Sequence, residues 1–106
     1  MAVERGVSVT VTDDTLMAVW AAGATTDTGK AVDVSRYPNI SFQAVGDATT
    51  VSMTGSNNGT NFYAIDGGQT ITLASQKILS FVSGVRQVSF LITGGTSTIV
   101  TMLAKK

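Results

Sequence analysis

The sequence predicts an all-β chain: a single domain built as an antiparallel β-sandwich or a jelly-roll-like fold. Three observations carry this reading. Turn signals rich in glycine, asparagine and aspartate recur about every eight to twelve residues. The segments between them are rich in β-branched residues and alternate apolar with polar side chains. The chain has 106 residues, the length of one domain, and shows neither a convincing helix nor an internal repeat.

The elements follow in order. Met1 to Gly6 differs in composition from the rest and reads as an N-terminal arm, leaving a sandwich domain over residues 7–106. Val7, Val9 and Val11 alternate with Ser8, Thr10 and Thr12, the pattern of a half-buried strand that ends at Asp13-Asp14. Leu16 to Trp20 is apolar on both faces; a buried strand and a short helix both fit, and strand is the preferred reading. A Thr/Gly/Asp loop covers Gly23 to Lys30, and Ala31 to Val34 reads as a short strand. Arg36-Tyr37-Pro38 breaks the chain at its only proline. Ile40, Phe42 and Ala44 then share one face, and Gly46-Asp47 turns the chain into a strand over Thr50 to Thr54.

Next comes Ser56-Asn57-Asn58-Gly59-Thr60-Asn61-Phe62-Tyr63. An Asn-Gly pair between two alternating runs is a strong short-range hairpin signal, so Asn58 and Gly59 are read as the turn-defining residues. With those two in the loop, Gly55 faces Phe62, Thr54 faces Tyr63 and Met53 faces Ala64. Val51, Met53, Phe62 and Ala64 then share the core face, and Phe62 shields the bare Gly55. A three-residue loop, which pairs Thr54 with Phe62, is the alternative. Gly67-Gly68 reads as a further turn, and Thr70 to Leu73 and Lys77 to Val82 as strands. Val88, Phe90 and Ile92 share a face within Val85 to Thr93, Gly94-Gly95 is a second hairpin signal, and Thr96 to Ala104 is the last strand.

Composition narrows the function. Histidine and cysteine are both absent, which excludes Ser-His-Asp and Cys-His nucleophilic sites, disulfides and the commonest transition-metal ligands. The remaining acid/base candidates are Glu4, Asp13, Asp14, Asp27, Asp33, Asp47 and Asp66, most of them beside glycine or threonine where aspartate favours turns. No loop has the aspartate spacing of a calcium site, which needs about six or more oxygens. The expectation is a protein that is not an enzyme and has no cofactor and no metal. Lysine and arginine are scattered without a basic stripe, so no nucleic-acid partner is expected. The longest apolar stretch, Leu16 to Ala24, is far short of the roughly 20 residues of a spanning helix, and Met1 to Gly6 lacks the pattern of a secretory leader. No membrane partner is expected either. The two glycosylation-like triplets, at Asn39 and Asn58, are therefore read as chance.

Charged residues make up 13% of the chain and the net charge is zero, against about 25% charged residues in ordinary soluble domains. A small protein this poor in charge is weakly protected against association; either much of its surface is uncharged Ser, Thr, Gly and Asn, or part of it lies against partners, and the second is the preferred reading. The candidate interface residues are Val3, Glu4 and Arg5 of the arm, Trp20, Tyr37 and Tyr63. Trp20 lies in an apolar run, where core packing competes with an interface role. Tyr63 faces away from the expected core.

The run Val51 to Phe62, with its Gly55-Ser56-Asn57-Asn58-Gly59-Thr60-Asn61-Phe62 core, resembles a pattern found in small bacteriophage virion proteins. There a strand ends in Gly-Ser-Asn-Asp-Gly and the next begins with Asn and an aromatic residue; Asn58 stands where Asp is usual and Phe62 where Trp is usual. Val85-Arg86-Gln87-Val88 and Thr93 to Leu103 are similar to the closing strands of those domains, so the resemblance runs from Pro38 to Ala104. It implies a capsid decoration or cement protein: a structural protein on the outer surface of the virion capsid, assembled in the host cytoplasm, binding the major capsid protein and itself as a homotrimer. Related proteins serve as head fibres or tail components. The same turn is also similar to one in discoidin-type carbohydrate-binding sandwiches, which implies the alternative of a glycan-binding or adhesion module of a phage particle.

Overall fold

The structure is a computed structural model that describes residues 3–65, 69–75 and 78–106. These form twelve strands: β1 (Glu4–Arg5), β2 (Val7–Val11), β3 (Thr15–Trp20), β4 (Thr28–Gly29), β5 (Val32–Asp33), β6 (Asn39–Gly46), β7 (Thr50–Ser56), β8 (Tyr63–Ala64), β9 (Thr70–Thr72), β10 (Leu79–Val82), β11 (Gln87–Thr93) and β12 (Thr98–Lys105). A single 3₁₀ turn, Leu73–Ser75, follows β9. One sheet has five strands in the order β10-β6-β12-β3-β2. The other has seven: β1-β4-β11-β7-β8, with β5 also on β11 and β9 also on β7. All pairs are antiparallel except β1 with β4. The fold is the expected all-β sandwich with jelly-roll character, and no helix of the described residues is long and apolar enough to cross a membrane.

The core lies between the sheets. Leu16, Ala18 and Trp20 of β3, Ile40 and Phe42 of β6 and Val100, Met102 and Ala104 of β12 face Val51 and Met53 of β7 and Val88, Phe90 and Ile92 of β11. The strand reading of Leu16 to Trp20 is correct, and its alternation aims Trp20 inward. The Trp20 and Phe90 rings meet edge to face at 5.2 Å, and the indole Nε1 donates to the Lys30 carbonyl at 2.9 Å. A buried indole N–H needs such a partner. Gly29 makes room for this contact, since a Cβ there would overlap the Phe90 ring and sit 2.6 Å from Trp20 Nε1.

The two sheets are joined where the β6–β12 pair bends over into the β7–β11 pair. Both bends need glycine. Gly94 and Gly95 have φ of 77° and 84°, and a Cβ on Gly95 would lie 2.7 Å from the backbone of Asp47 and Ala48. The Asp47 carboxylate clasps the neighbouring bend, accepting from the amides of Thr96 and Ser97 at 2.9 Å each and from the Thr96 hydroxyl at 2.8 Å. Gly94-Gly95 is therefore an inter-sheet crossing and not the hairpin turn expected from its composition.

The Asn58-Gly59 segment differs from expectation in register. Thr54 pairs with Ala64 and Gly55 with Tyr63, so neither a two- nor a three-residue loop forms. Asn58 takes over the role of a backbone turn: its Oδ1 accepts from the Ser56 hydroxyl and from the amides of Thr60 and Asn61, each at 2.9 Å. Ser56 Oγ in turn accepts from the Gly59 amide at 3.0 Å, and Gly59 sits at φ 78°. The wider loop shifts the register by one residue, which changes the face each side chain presents. Ala64 is exposed and Phe62 is half-buried outside the core. Gly55 is covered by Ile65 and Val85, not by Phe62.

Two further expectations change. Residues 3–5 are not a free arm, because β1 pairs with β4 in the domain's own sheet. β2 has the predicted alternation, yet only Val7 is half-buried; Val9 and Val11 are exposed because the facing sheet stops short of them. The Gly67-Gly68 turn, Lys77 and Asp66 lie outside the described residues.

Candidate interaction surfaces

The chemistry of the described carboxylates is structural. Asp27 is 1% exposed and accepts from the amides of Ala24 at 2.8 Å and Val3 at 2.9 Å and from Arg5 Nε at 2.8 Å. Its ion pair with Arg5 Nη2 closes to 2.6 Å. The Ala24 amide and then Arg5 hold its carboxyl at a pKa of about 2. The bonds from Ser97 and Thr96 hold the exposed Asp47 at about 2 as well, and Ser35 lowers Asp33. A general acid or base works best with a pKa near the working pH; these three are displaced away from it and serve as fixed anionic acceptors. Among the described residues no three carboxylates gather where they could hold a metal ion.

Asp27 also explains the N-terminal segment. Its carboxylate locks Val3 and Arg5 onto the loop before β4, next to Thr26, a β-branched residue at φ 69°. Such a conformation persists only where the surroundings impose it. Here the Thr26 amide donates to the Ile92 carbonyl at 2.8 Å and the Ile92 amide to the Asp27 carbonyl at 3.0 Å.

The structure separates the expected interface residues. Trp20 and Tyr37 are buried in the core and present no surface, which corrects their assignment as interface candidates. Both lie in segments whose apolar neighbours point inward, and burial absorbs their rings. Val3, Glu4 and Arg5 sit together on β1 and its approach. Glu4 lines a groove of about 250 Å³ on the outside of the seven-stranded sheet, with Thr28, Thr54, Phe62 and Leu91. Tyr63 is 70% exposed, at the rim and opposite Gly55, where Thr54 had been expected. Asn58 and Gly59 form the rigid loop described above.

A larger surface escaped the sequence reading. On the outside of the five-stranded sheet, Met17 lies beside Leu103, Val19 beside Thr101 and Ile99 beside Val45. Met17, Val45 and Ile99 are exposed. In the outward rows of β2, β3, β6 and β12 the only charged residue is Lys105, at one end. The signal was present: β3 is apolar on both faces, and a strand apolar on both faces in a two-layer fold leaves one face uncovered.

No family description and no curated protein matches the sequence. Solved structures match the fold. A protein derived from the SPBc2 prophage, YomS, superposes with a TM-score of 0.67 at 13% identity, over 93% of this chain and 100% of that one. A double-stranded β-helix protein of Klebsiella pneumoniae gives 0.55 at 13% identity over 96% of this chain and 76% of its own. A cupin domain of Bordetella pertussis gives 0.53 at 8% identity over 99% and 95%. At these identities the likeness concerns the fold: the chain shares the two-sheet, jelly-roll-like architecture of cupin and double-stranded β-helix domains.

Proposed function

We propose that this chain is a structural protein of a bacteriophage particle, decorating and stabilising the capsid from outside as a homo-oligomer that bridges major capsid subunits. Three copies is the number implied by the resemblance of the Gly55 to Phe62 turn. The observation that carries the reading is the charge-poor outer face of the five-stranded sheet, where Met17, Val45 and Ile99 stand exposed among uncharged polar residues. Such a face is a surface for another protein. The full-length fold match to a prophage-derived protein supports the phage setting, and jelly rolls build viral capsid domains as well as lectins and cupins. The fold alone does not choose between these. The non-enzymatic reading rests on a sequence without histidine or cysteine and on carboxylates committed to turns.

Function of this kind is burial of area. A specific contact buries about 1,000 Å² or more, and several copies held together add avidity beyond one contact. Bridging neighbouring subunits then opposes their separation. The test is mass spectrometry of purified particles made by the phage that carries the gene, with co-sedimentation of the protein on particles lacking it. The proposal expects a stoichiometric virion component that rebinds. Absence from the particles contradicts it.

One observation favours a second reading. The groove beside Phe62 and Glu4 offers an aromatic wall and a carboxylate, the elements of a sugar subsite. A glycan-binding adhesion module would lose binding to a glycan array when Phe62 is replaced by alanine. No binding by the unaltered protein removes that reading.

A further inference from the structure

We propose that β2 pairs with β2 of a second copy of this chain across a two-fold axis at Val9. β2 is the end strand of the five-stranded sheet, and among the described residues nothing pairs with its outer edge. Open edges in natural sheets are usually protected by lysine, proline, a bulge or a covering loop. Val7-Ser8-Val9-Thr10-Val11 carries no charge, proline or glycine, and its edge is a template for another strand.

The occupant is identified by self-complementarity, the requirement of a two-fold contact. In an antiparallel pair centred on Val9, Val9 meets Val9 of the second copy, Val7 meets Val11 and Ser8 meets Thr10. Every apolar residue meets an apolar one and each hydroxyl meets a hydroxyl. The faces also agree. Val7, Val9 and Val11 pair with Trp20, Ala18 and Leu16, whose side chains point into the sandwich, so the three valines line the inner face. Val9 and Val11 are 44% and 59% exposed there because the facing sheet does not reach them. The pairing sets six valines side by side in one row, where they contact one another across the seam.

This contact does not depend on the capsid reading. A two-fold contact makes the copy number even; combined with a separate three-fold contact it gives six copies. The seam is short, about 17 Å for five residues, so association is concentration-dependent.

The chain has no cysteine, which permits a direct test. Val9→Cys places the new thiols opposite each other on the axis. Under mild oxidation it is expected to form a covalent dimer at least about tenfold faster than Val82→Cys, a more exposed control on the far edge of the same sheet. Sedimentation is expected to show an even-numbered assembly that Val9→Lys returns to smaller species while Trp20 fluorescence stays native. Where Val9→Lys does not fold, Thr10→Lys on the outward face serves the same purpose. Equal crosslinking of the two cysteine variants, or an unaltered protein that remains monomeric into the millimolar range, overturns the proposal.

Discussion

The two sheets use the same kinds of residue for opposite ends. The seven-stranded sheet is assembled partly from two- and three-residue pieces, β1, β4, β5, β8 and β9, and its polar groups are spent on holding them. Asp27 fastens β1, Ser89 Oγ donates to the Gly29 carbonyl, and Asn58 closes the loop between β7 and β8. The five-stranded sheet is dominated by long strands in register and needs few such clasps, and its outward rows mix valine, methionine, isoleucine and leucine with serine, threonine, asparagine and glutamine, with Lys105 at one end. One sheet spends its polar side chains on its own short pieces; the other presents a charge-poor face with exposed apolar residues and an unpaired edge in β2. In a charge-poor chain the place to look for partners is the sheet that needs least repair.

Substitutions can break or sharpen this contrast. The largest effect is expected at the core that both sheets share. Phe90→Ala removes the ring packed on Trp20 and should cost about 3–5 kcal/mol in urea unfolding; a cost under about 1 kcal/mol would mean that the sheets do not share one core. Acid should release the clasps next. Asp27 and Asp47 are held at about 2, below the roughly 3.9 of an unfolded aspartate. A carboxyl depressed in the folded state stabilises fully above the unfolded value, and that stability is lost as pH falls from about 4 toward about 2. Melting curves should drop across that window, and the Asp27→Asn, Asp47→Asn double variant should start lower and drop less. A wild-type curve flat from pH 5 to 2 would show that the carboxylates do not clasp.

Smaller effects follow. Gly59→Val forces a β-branched residue into the left-handed region and should cost about 1–2 kcal/mol; an unchanged melting temperature would contradict the Asn58 loop. Thr26→Gly removes strain and should gain up to about 1 kcal/mol, while a loss would mean that the Thr26 side chain contributes more than its backbone costs. The smallest stability change is expected on the open sheet. Met17→Ser, Val45→Ser and Ile99→Ser should each stay within about 0.5 kcal/mol of the unaltered protein, yet weaken attachment to particles.

Strand identity was legible because alternation survives in a single sequence. Ile40 and Phe42, and Val88, Phe90 and Ile92, share the faces their period gives them, and those faces are buried. Coverage was not legible. Val9 and Val11 carry the same alternation, and whether a facing sheet extends over them depends on distant strands. Turn chemistry was similarly ambiguous: two left-handed glycines serve a hairpin or an inter-sheet crossing equally well, and at Gly94-Gly95 the choice is made by Thr25, Thr49 and Asp47. The N-terminal segment resembled an arm because its anchor, Asp27, lies 22 residues beyond Arg5. Of the expected interface residues, Trp20 and Tyr37 were drawn into the core, whereas Met17, Val45 and Ile99 went unnoticed because apolar residues on a strand are ordinarily credited to the interior.

Methionine oxidation provides the most direct measurement of the central claim, that this protein acts through the outer face of its five-stranded sheet. Met17 is exposed on that face, on β3, while Met53 and Met102 are buried and serve as internal references. Thioether oxidation follows exposure. In the free protein Met17 should oxidise well ahead of Met53 and Met102, and on the phage particle its rate should fall to theirs. A Met17 that oxidises equally fast on the particle and in solution would contradict the account.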